Sequence, residues 1–240
     1  MAEIDKLAYE YYQAPGVAEG WSRAAGLLPT EELLLDEFAP VLANARVLDI
    51  GVGPGRTTPG ISSRCRHYIG IDYAERMLLP CRSRFPDADL LLCDARRLAF
   101  RNEAFDVVLF LYNALDDACH ADRLAILSDI KRVLRVGGLL MFACHNTDGG
   151  IYPPQNATDL VNHLAKKQLE VRTQDYSILN DSSSHYTLLT YYMTAEQQVR
   201  QLWQGGFARA SARGLDGREL RPGETSKDRS LHYIAWKDSD

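Results

Sequence analysis

A glycine-rich turn is the first place where this sequence could do chemistry. Residues 49–55 read DIGVGPG and directly follow the short apolar run Arg46–Ile50. Because glycine has no side chain, a turn of this kind lets backbone N–H groups come close to a ligand. The third glycine of a dinucleotide-binding fingerprint would fall at position 56, which is an arginine. The pattern is therefore D-x-G-x-G-x-G, and it counts against a nicotinamide dinucleotide.

Two aspartates follow the next apolar runs along the chain. Asp72 comes directly after Tyr68–Ile71, 21 positions beyond Gly51, where an acidic side chain can accept hydrogen bonds from a ribose diol. Asp94 follows Leu90–Cys93, where a carboxylate would meet an adenine edge. A single aspartate in such a place is more often a helix cap or a solvated acid. Together with the glycine turn, the two carboxylates predict a pocket for an adenosine group.

The elements that must position these residues alternate between strand and helix. Apolar runs predict the strands, and amphipathic periods predict the helices between them. The predicted strands are Arg46–Ile50, Tyr68–Ile71, Leu90–Cys93, Ala104–Leu111 and Leu139–Ala143, and the predicted helices are Ala74–Phe85 and Ala121–Leu134. This alternation is typical of a doubly wound parallel α/β sheet, in which the carboxyl ends of the strands meet at one edge.

The segments on either side of this core have a different character. Residues 1–43 are mostly helical in pattern, with a break at residues 14–16. After residue 145 we predict a helix at Thr158–Lys167 and a β-hairpin of Glu170–Leu179 and His185–Met193, joined by residues 180–184. A helix at Ala195–Trp203 and two last strands, Phe207–Arg213 and Leu231–Lys237, follow the hairpin.

Composition excludes several classes of protein. The 240 residues are 46% hydrophobic and 25% charged, which is enough to bury a core without disulfides or metals. A net charge of -5 argues against binding to phosphate backbones, and no apolar run approaches the ~20 residues that cross a bilayer. The N-terminus lacks the pattern of a secretory signal, and five widely spaced cysteines predict neither disulfides nor a metal site. We therefore expect a cytoplasmic protein with no nucleic-acid partner and no membrane partner.

Several ordered motifs give the sequence a family resemblance. VLDIGVGPGRTTPGI resembles the first motif of the class I S-adenosylmethionine-dependent methyltransferases, and IGIDYAERML resembles the second. LLLCDARRLAFRNEAFDVVLFLYNAL is similar to the third and fourth motifs, and IKRVLRVGGLLMFA to the fifth. The match covers roughly residues 44–145 and resumes with QLWQGGFARASA and LHYIAWK. The resemblance implies a Rossmann-like sheet of strand order 3-2-1-4-5-7-6, with an antiparallel last strand, N-terminal helices and a hairpin insertion after strand 5.

The resemblance also implies which positions would surround S-adenosyl-L-methionine. They are Asp49, Gly51, Gly53 and Gly55 at the methionine end, Asp72 at the ribose, Tyr73, Met77, Asp94 and Ala95 at the adenine, Leu111, Tyr112 and Asn113 beside the sulfonium and its methyl group, and Tyr11 or Tyr12 in a lid. It further implies a single domain over residues 1–240. Its parts are a helical lid (1–43), a cofactor-binding core (44–146), an insertion that shapes the acceptor pocket (147–194) and the closing helix and strands (195–240).

Candidates for a general base are few. His145 directly follows the fifth strand, where it would face the mouth of the site, and a histidine can accept a proton near neutral pH. The alternative is a hydrogen-bonded loop histidine without a catalytic role. Asp116, Asp117 and His120 are weaker candidates, since residues in these positions often cap the following helix.

We expect methyl transfer from S-adenosylmethionine to an oxygen or nitrogen atom of a small molecule. No Asn/Asp-Pro-Pro-Tyr segment follows the fourth strand, where the chain reads YNAL (112–115), and this counts against methylation of a base or a glutamine amide. Two other hypotheses remain open at this point. One is a protein that binds S-adenosylmethionine without turnover, and the other is a nicotinamide-dependent reductase.

Overall fold

A seven-stranded sheet runs through the centre of the protein. The computed structural model describes residues 3–151, 153–180, 186–207 and 209–238, and the statements below concern these residues. The strands of the sheet are β1 (Arg46–Ile50), β2 (His67–Asp72), β3 (Asp89–Leu92), β4 (Phe105–Phe110), β5 (Leu134–His145), β9 (Arg209–Arg213) and β10 (Ser230–Trp236), in the order β3-β2-β1-β4-β5-β10-β9. β1 to β5 are parallel, whereas β10 runs antiparallel to both β5 and β9. The predicted doubly wound order with an antiparallel last strand is confirmed.

Successive side chains of the central strands belong alternately to two apolar clusters, one on each face of the sheet. On β1, Leu48 belongs to one apolar cluster and Val47 to the other. On β4, Val108 and Leu109 divide in the same way. Successive side chains of a strand point to opposite faces, so a continuous apolar run is stable only where helices cover both sides.

The helices cover the sheet and build one further layer at its carboxyl edge. They are α1 (Glu3–Tyr12), α2 (Val17–Trp21), α3 (Pro29–Glu37), α4 (Ala39–Leu42), α5 (Thr58–Ser62), α6 (Glu75–Arg84), α7 (His120–Val133), α8 (Ala157–Lys166) and α9 (Ala195–Gln204). α5 begins at Thr58, which places Pro59 in the first turn of the helix. Proline is favoured there because the N–H group that it lacks would have no partner within the helix. Residues 51–57, which contain the glycine turn, therefore separate β1 from α5.

The insertion between β5 and α9 forms a small antiparallel sheet. Its strands are β6 (Val171–Arg172), β7 (Ser177–Asn180) and β8 (Leu189–Tyr192), in the order β6-β7-β8. The predicted single strand Glu170–Leu179 is divided, because Thr173 and Tyr176 close a turn through a backbone hydrogen bond of 2.9 Å. Of the predicted connection at residues 180–184, Asn180 ends β7, whereas residues 181–184, together with Tyr152 and His185, lie outside the described residues.

The closing strands bring the later part of the chain back to the carboxyl edge. β10 pairs with β5 from Ser230 opposite His145 to Trp236 opposite Leu139. Ser230 therefore lies at the same edge of the sheet as the ends of β1, β2 and β4.

All five cysteines are free thiols. None of the helices described is long and apolar enough to span a bilayer.

Candidate active site

A cavity of about 370 Å³ lies at the carboxyl ends of the parallel strands, a size in the range of small-molecule sites. α1 and α2 cover it from one side, and β8 of the insertion contributes from another. All but one of the predicted site residues line it: Tyr11, Asp49, Gly51, Gly53, Asp72, Tyr73, Met77, Asp94, Ala95, Leu111, Tyr112, Asn113 and His145. The sequence prediction and the geometry thus point to the same place.

Gly55 is the predicted residue that does not line the cavity. A Cβ atom built at this position would lie 2.7 Å from Cys81 Sγ and 2.8 Å from the ring of Phe85. The backbone φ is +87°, which glycine adopts readily and other residues rarely do. Gly55 is therefore required for the packing of the turn against α6.

The other two glycines of the turn face the cavity, and β2 holds them in place. The Gly51 N–H donates to the carbonyl of Ile71 at 2.8 Å, and the Gly53 N–H donates to Asp72 Oδ2 at 2.8 Å. Both glycines have positive φ, +72° and +51°. Hydrogen bonds donated to β2 thus fix a left-handed turn at the cavity wall.

Asp72 connects the glycine turn to the end of β2. Its second oxygen, Oδ1, accepts the Ala74 N–H at 2.8 Å, and the side chain is buried at the cavity wall. Burial raises the pKa of Asp72 to about 6, although the backbone N–H groups of Ala74, Gly53 and Tyr73 oppose the shift. At neutral pH the group is a carboxylate, which can accept hydrogen bonds from the hydroxyl groups of a ligand.

Asp49 is a second buried carboxyl group of the turn. Its Oδ2 accepts hydrogen bonds from the hydroxyl groups of Tyr68 at 2.9 Å and Thr57 at 3.1 Å. Burial raises the pKa of Asp49 to about 7, because these two hydrogen bonds offset only part of the desolvation. Asp49 is therefore part of the hydrogen-bonded support under the turn.

Asp94 differs from Asp72 in its surroundings. Arg96 donates to both carboxylate oxygens through Nε and Nη2, at 2.5 to 3.0 Å, and its backbone N–H also donates to Oδ1. Partial burial would raise the pKa of Asp94, but these donors outweigh it and hold the pKa below its usual value. The carboxylate thus lines the cavity as one half of an ion pair, beside Ala95.

Arg56 is a wall residue whose contacts the sequence did not reveal. It forms a two-fold ion pair with the fully buried Glu31 of α3, at 2.6 and 2.7 Å. Its guanidinium also lies 4.4 Å from the ring centroid of Tyr112, a cation–π distance. Arg56 therefore ties together the glycine turn, α3 and the segment after β4.

The segment after β4 has an unusual backbone. Tyr112 and Asn113 are consecutive non-glycine residues with positive φ, +58° and +61°. This conformation is uncommon for residues other than glycine, and asparagine tolerates it best. The side chain of Asn113 is held at both ends, since Ser230 Oγ donates to Oδ1 at 2.6 Å and Nδ2 lies 3.4 Å from His145 Nε2.

His145 stands on a buried polar network. Its Nδ1 lies 2.9 Å from Asp116 Oδ2, which also accepts the His145 backbone N–H at 2.6 Å. The other oxygen of Asp116 pairs with the fully buried Arg123 at 2.9 Å. Of the two interpretations of Asp116, the helix cap does not hold, because its carboxylate points to His145 and Arg123 and Cys119 stands at the N-cap of α7.

Aromatic residues of α1 and α2 line the cavity. Tyr12 donates its hydroxyl to Asp117 Oδ2 at 2.6 Å, and Tyr11 packs edge-on against Tyr12 with ring centroids 5.1 Å apart. Burial, and then the Asp117 carboxylate, raise the pKa of Tyr12 well above its ordinary value, so the hydroxyl remains a donor. Trp21 of α2 lies edge-on to Tyr112 at 5.7 Å.

The insertion contributes small side chains to the cavity. Leu188 and Thr190 line it, whereas Tyr191 and Tyr192 are buried beside them. His120 lies outside the cavity wall, stacked on Tyr176 at 4.2 Å and hydrogen-bonded to the Tyr191 hydroxyl at 2.7 Å. His120 therefore connects α7 to the insertion.

Comparison with known proteins decides the family. Residues 47–138 match the model of a methyltransferase domain family. This part of the chain is a methyltransferase domain, of the class that the sequence motifs resemble. The matched residues contain the glycine turn, Asp72, Asp94 and the segment after β4, so they include most of the cavity wall described above.

Two curated methyltransferases show the extent of the sequence similarity. The chain is 34% identical over 108 residues to a phosphatidylethanolamine N-methyltransferase of Cereibacter sphaeroides, covering 42% of this chain and 50% of that protein. It is 35% identical over 82 residues to a trans-aconitate 2-methyltransferase of Variovorax paradoxus, covering 33% of this chain and 31% of that protein. The chain thus spans half or less of the length of these relatives.

A solved methyltransferase shares the fold over almost the whole chain. The 1,6-didemethyltoxoflavin-N1-methyltransferase of Burkholderia thailandensis superimposes with a TM-score of 0.62 at 17% identity, covering 98% of this chain and 87% of that one. That protein was crystallised with 1,6-didemethyltoxoflavin and S-adenosylhomocysteine. At this identity the likeness concerns the methyltransferase fold.

The methyltransferase cavity has the features that S-adenosylmethionine requires. The backbone at Gly53 is open, since a Cβ atom there would meet only Met77 Cε at 3.6 Å, and Asp72 presents a buried carboxylate two strands from Asn113. In S-adenosylmethionine a single methylene joins the ribose to the sulfonium, so one molecule can reach both groups. The donor set therefore fits the cofactor of the family.

Proposed function

We propose that the protein transfers a methyl group from S-adenosylmethionine to an oxygen or nitrogen atom of a small molecule. The observation that supports this most is the single cavity that holds both parts of such a site. It joins the glycine turn and Asp72, suited to the cofactor, to His145 and the insertion, suited to an acceptor. The phosphatidylethanolamine, trans-aconitate and didemethyltoxoflavin enzymes named above all act on small molecules or lipids by their names, which agrees with the proposal.

Each wall of the cavity has a part in the proposed binding of the cofactor. Asp72 accepts the ribose hydroxyl groups, Tyr73 and Met77 flank the adenine, and Asp94 and Ala95 meet its polar edge. The turn from Asp49 to Gly53 bounds the methionine end. Gly55 supports the turn without contacting the cofactor. When bound, S-adenosylmethionine supplies a methyl group that its sulfonium has already activated.

The chain's own task is then to orient the acceptor, exclude water and hold a proton. Orientation in a closed site can be worth about 7–11 kcal/mol of the barrier. The segment from Leu111 to Asn113 bounds the methyl group, and Tyr11 and Tyr12 on α1 close over it as a lid. His145 Nε2 accepts the proton that an O–H or N–H acceptor loses.

Calorimetry with S-adenosylhomocysteine and with NAD tests the cofactor assignment. We expect the first to bind and the second not to bind. Asp72→Asn places an amide N–H₂ against one of the two backbone N–H groups and removes a charged acceptor, so it weakens binding by roughly 10- to 100-fold. Asp106→Asn, at the opposite end of the sheet, is the matched control and leaves the affinity unchanged. Equal affinity in Asp72→Asn and wild type would remove the ribose assignment.

Turnover distinguishes the enzyme from a protein that only binds the cofactor. The protein is incubated with S-adenosylmethionine and a pool of small hydroxyl and amine compounds, and the release of S-adenosylhomocysteine is measured. Release that depends on the pool supports methyl transfer, and tight cofactor binding without such release supports the binding-only function. The family match gives no support to the nicotinamide-dependent alternative.

A further inference from the structure

The network behind His145 determines which of its two nitrogens carries the proton. Arg123 is fully buried in α7, and its Nη1 pairs with Asp116 Oδ1 at 2.9 Å. An arginine side chain keeps its charge in proteins, so a buried one needs an anion beside it. Asp116 therefore stays ionised, and an ionised carboxylate can only accept hydrogen bonds.

This fixes the direction of the bond to His145. Asp116 Oδ2 lies 2.9 Å from His145 Nδ1, so Nδ1 must be the donor and must carry the hydrogen. The same oxygen accepts the backbone N–H of His145 at 2.6 Å, which holds the main chain and the ring of this residue relative to one carboxylate. In the neutral ring, Nε2 is then the atom with the lone pair.

A second, independent contact gives the same assignment from the other side of the ring. Ser230 Oγ donates to Asn113 Oδ1 at 2.6 Å, which turns the Nδ2 end of the amide toward His145. Asn113 Nδ2 lies 3.4 Å from His145 Nε2, and an amide nitrogen can only donate. The contacts with Asp116 and with Asn113 therefore both require Nε2 to be the hydrogen-bond acceptor of the ring. The 3.4 Å contact is long, so it gives the direction of the lone pair without forming a strong bond.

We propose that Asp116, which Arg123 keeps ionised, is a positioning residue for His145. It keeps the hydrogen of the neutral ring on Nδ1, so that Nε2 takes the proton that the methyl acceptor loses. Asn113, oriented by Ser230, is a second positioning residue on the opposite side of the ring. The inference rests on the proposed base function of His145. It adds that the acceptor must present an O–H or N–H group to Nε2, because Nδ1 faces Asp116 on the side away from Asn113.

Long-range proton–nitrogen NMR of the ¹⁵N-labelled protein saturated with S-adenosylhomocysteine tests the tautomer directly. His145→Gln identifies the signals of this residue by their loss. At a pH where the ring is neutral, we expect the hydrogen on Nδ1 in the wild type. In Asp116→Asn we expect a shift toward the hydrogen on Nε2, because the amide N–H₂ can donate to Nδ1. A wild-type ring protonated on Nε2 overturns the proposal, and so does an Asp116→Asn spectrum identical to that of the wild type.

The control and the activity measurement separate this inference from the proposed function. Asp116→Asn leaves Arg123 without its anion and can prevent folding, in which case the wild-type tautomer alone decides. Asp106→Asn removes a comparable carboxylate, one paired with Arg46 and Arg135, and should leave the His145 signals unchanged.

With the acceptor pool, Asp116→Asn should lower the rate at saturating donor by at least about tenfold without changing the affinity for S-adenosylhomocysteine. If His145→Gln loses turnover and Asp116→Asn keeps it, only this inference fails. If His145→Gln keeps full turnover, the base function fails.

Discussion

At the scale of single residues, two glycines of the turn, Gly53 and Gly55, have separate tasks. Gly53 faces the cavity, and a Cβ atom there would meet only Met77 Cε, at the ordinary contact distance of 3.6 Å. Gly55 faces the interior, where the same atom would overlap Cys81 and Phe85. The two glycines belong to one motif but meet different requirements: Gly53 leaves room for the ligand, and Gly55 allows the turn to pack.

Substitution by alanine separates the two requirements. Gly55→Ala forces a left-handed alanine into contacts below 3 Å and should lower the free energy of unfolding by about 2–5 kcal/mol. Gly53→Ala adds only the left-handed strain, about 1–2 kcal/mol, but places a methyl group at the ligand surface and should weaken S-adenosylhomocysteine binding. Urea unfolding and calorimetry on both variants check this. Equal loss of stability in the two variants would contradict the division.

A site residue could be predicted from the sequence where its position follows from the residues next to it, and not where it follows from contacts with distant residues. Asp72 and Asp94 were found because each directly follows a strand, and that local position determines where they lie. The Arg56–Glu31 pair joins residues 25 positions apart through tertiary packing, and no local pattern indicates it. Arg123 did leave a signal, because it shares one helical face with the buried Leu127 and Ile130.

At the scale of elements, polar contacts join α1 to a neighbouring part of the cavity wall. Besides the Tyr12–Asp117 bond, Asp5 Oδ1 accepts the Cys119 N–H at 3.0 Å. Both contacts join α1 to the segment between β4 and α7, which also carries Asn113 and Asp116. α1 is therefore bonded to the same part of the chain that bounds the proposed methyl site.

Removal of one of these contacts should speed exchange of the cofactor. Tyr12→Phe deletes a hydrogen bond to a carboxylate worth about 1.5–3 kcal/mol, so S-adenosylhomocysteine should dissociate roughly 10- to 100-fold faster. Stopped-flow displacement measures the rate. Tyr9→Phe is the matched control on the same helix, because the Tyr9 hydroxyl bonds only Gln13 among the described contacts and lies outside the main cavity. Unchanged dissociation in Tyr12→Phe would mean that α1 is not a lid.

The elements themselves were largely predictable, and the exceptions have local causes. The strands from β1 to β4 were found within two residues because they are continuous apolar runs, and those of β1, β2 and β3 end at a glycine or an aspartate. The insertion was predicted as a hairpin, whereas Thr173 and Tyr176 form a turn that divides its first strand. Alternation of polar and apolar residues does not show whether a strand is interrupted by such a turn.

At the scale of the whole molecule, the buried carboxyl groups under the site reduce stability at neutral pH. The pKa of Asp49 is raised by burial from 3.8 to about 7 in the folded protein. Below pH 4 both the folded and the unfolded chain hold this proton, and the group costs nothing. As the pH rises toward 7 the unfolded chain releases the proton first, so the free energy of unfolding falls. Asp72 acts in the same direction up to about pH 6.

Asp49→Asn removes this dependence at one position. Between pH 5 and pH 7.5 the wild type should lose about 3 kcal/mol relative to the variant, since each pKa unit corresponds to 1.36 kcal/mol. Urea unfolding of both proteins at the two pH values gives the difference. A gap between wild type and variant that does not change with pH would show that Asp49 is already ionised well below pH 5.

The position of β10 has a consequence for how the protein is made. This strand is the last element of the sheet to leave the ribosome, yet it lies between β5 and β9 and carries the hydroxyl group that orients Asn113. During translation the nascent polypeptide can complete the first five strands and the glycine turn while one flank of β5 still has no neighbour. The nucleoside-binding half of the protein is thus synthesised before the hydroxyl group that orients Asn113, and the proposed arrangement around the imidazole is completed only with the final hairpin.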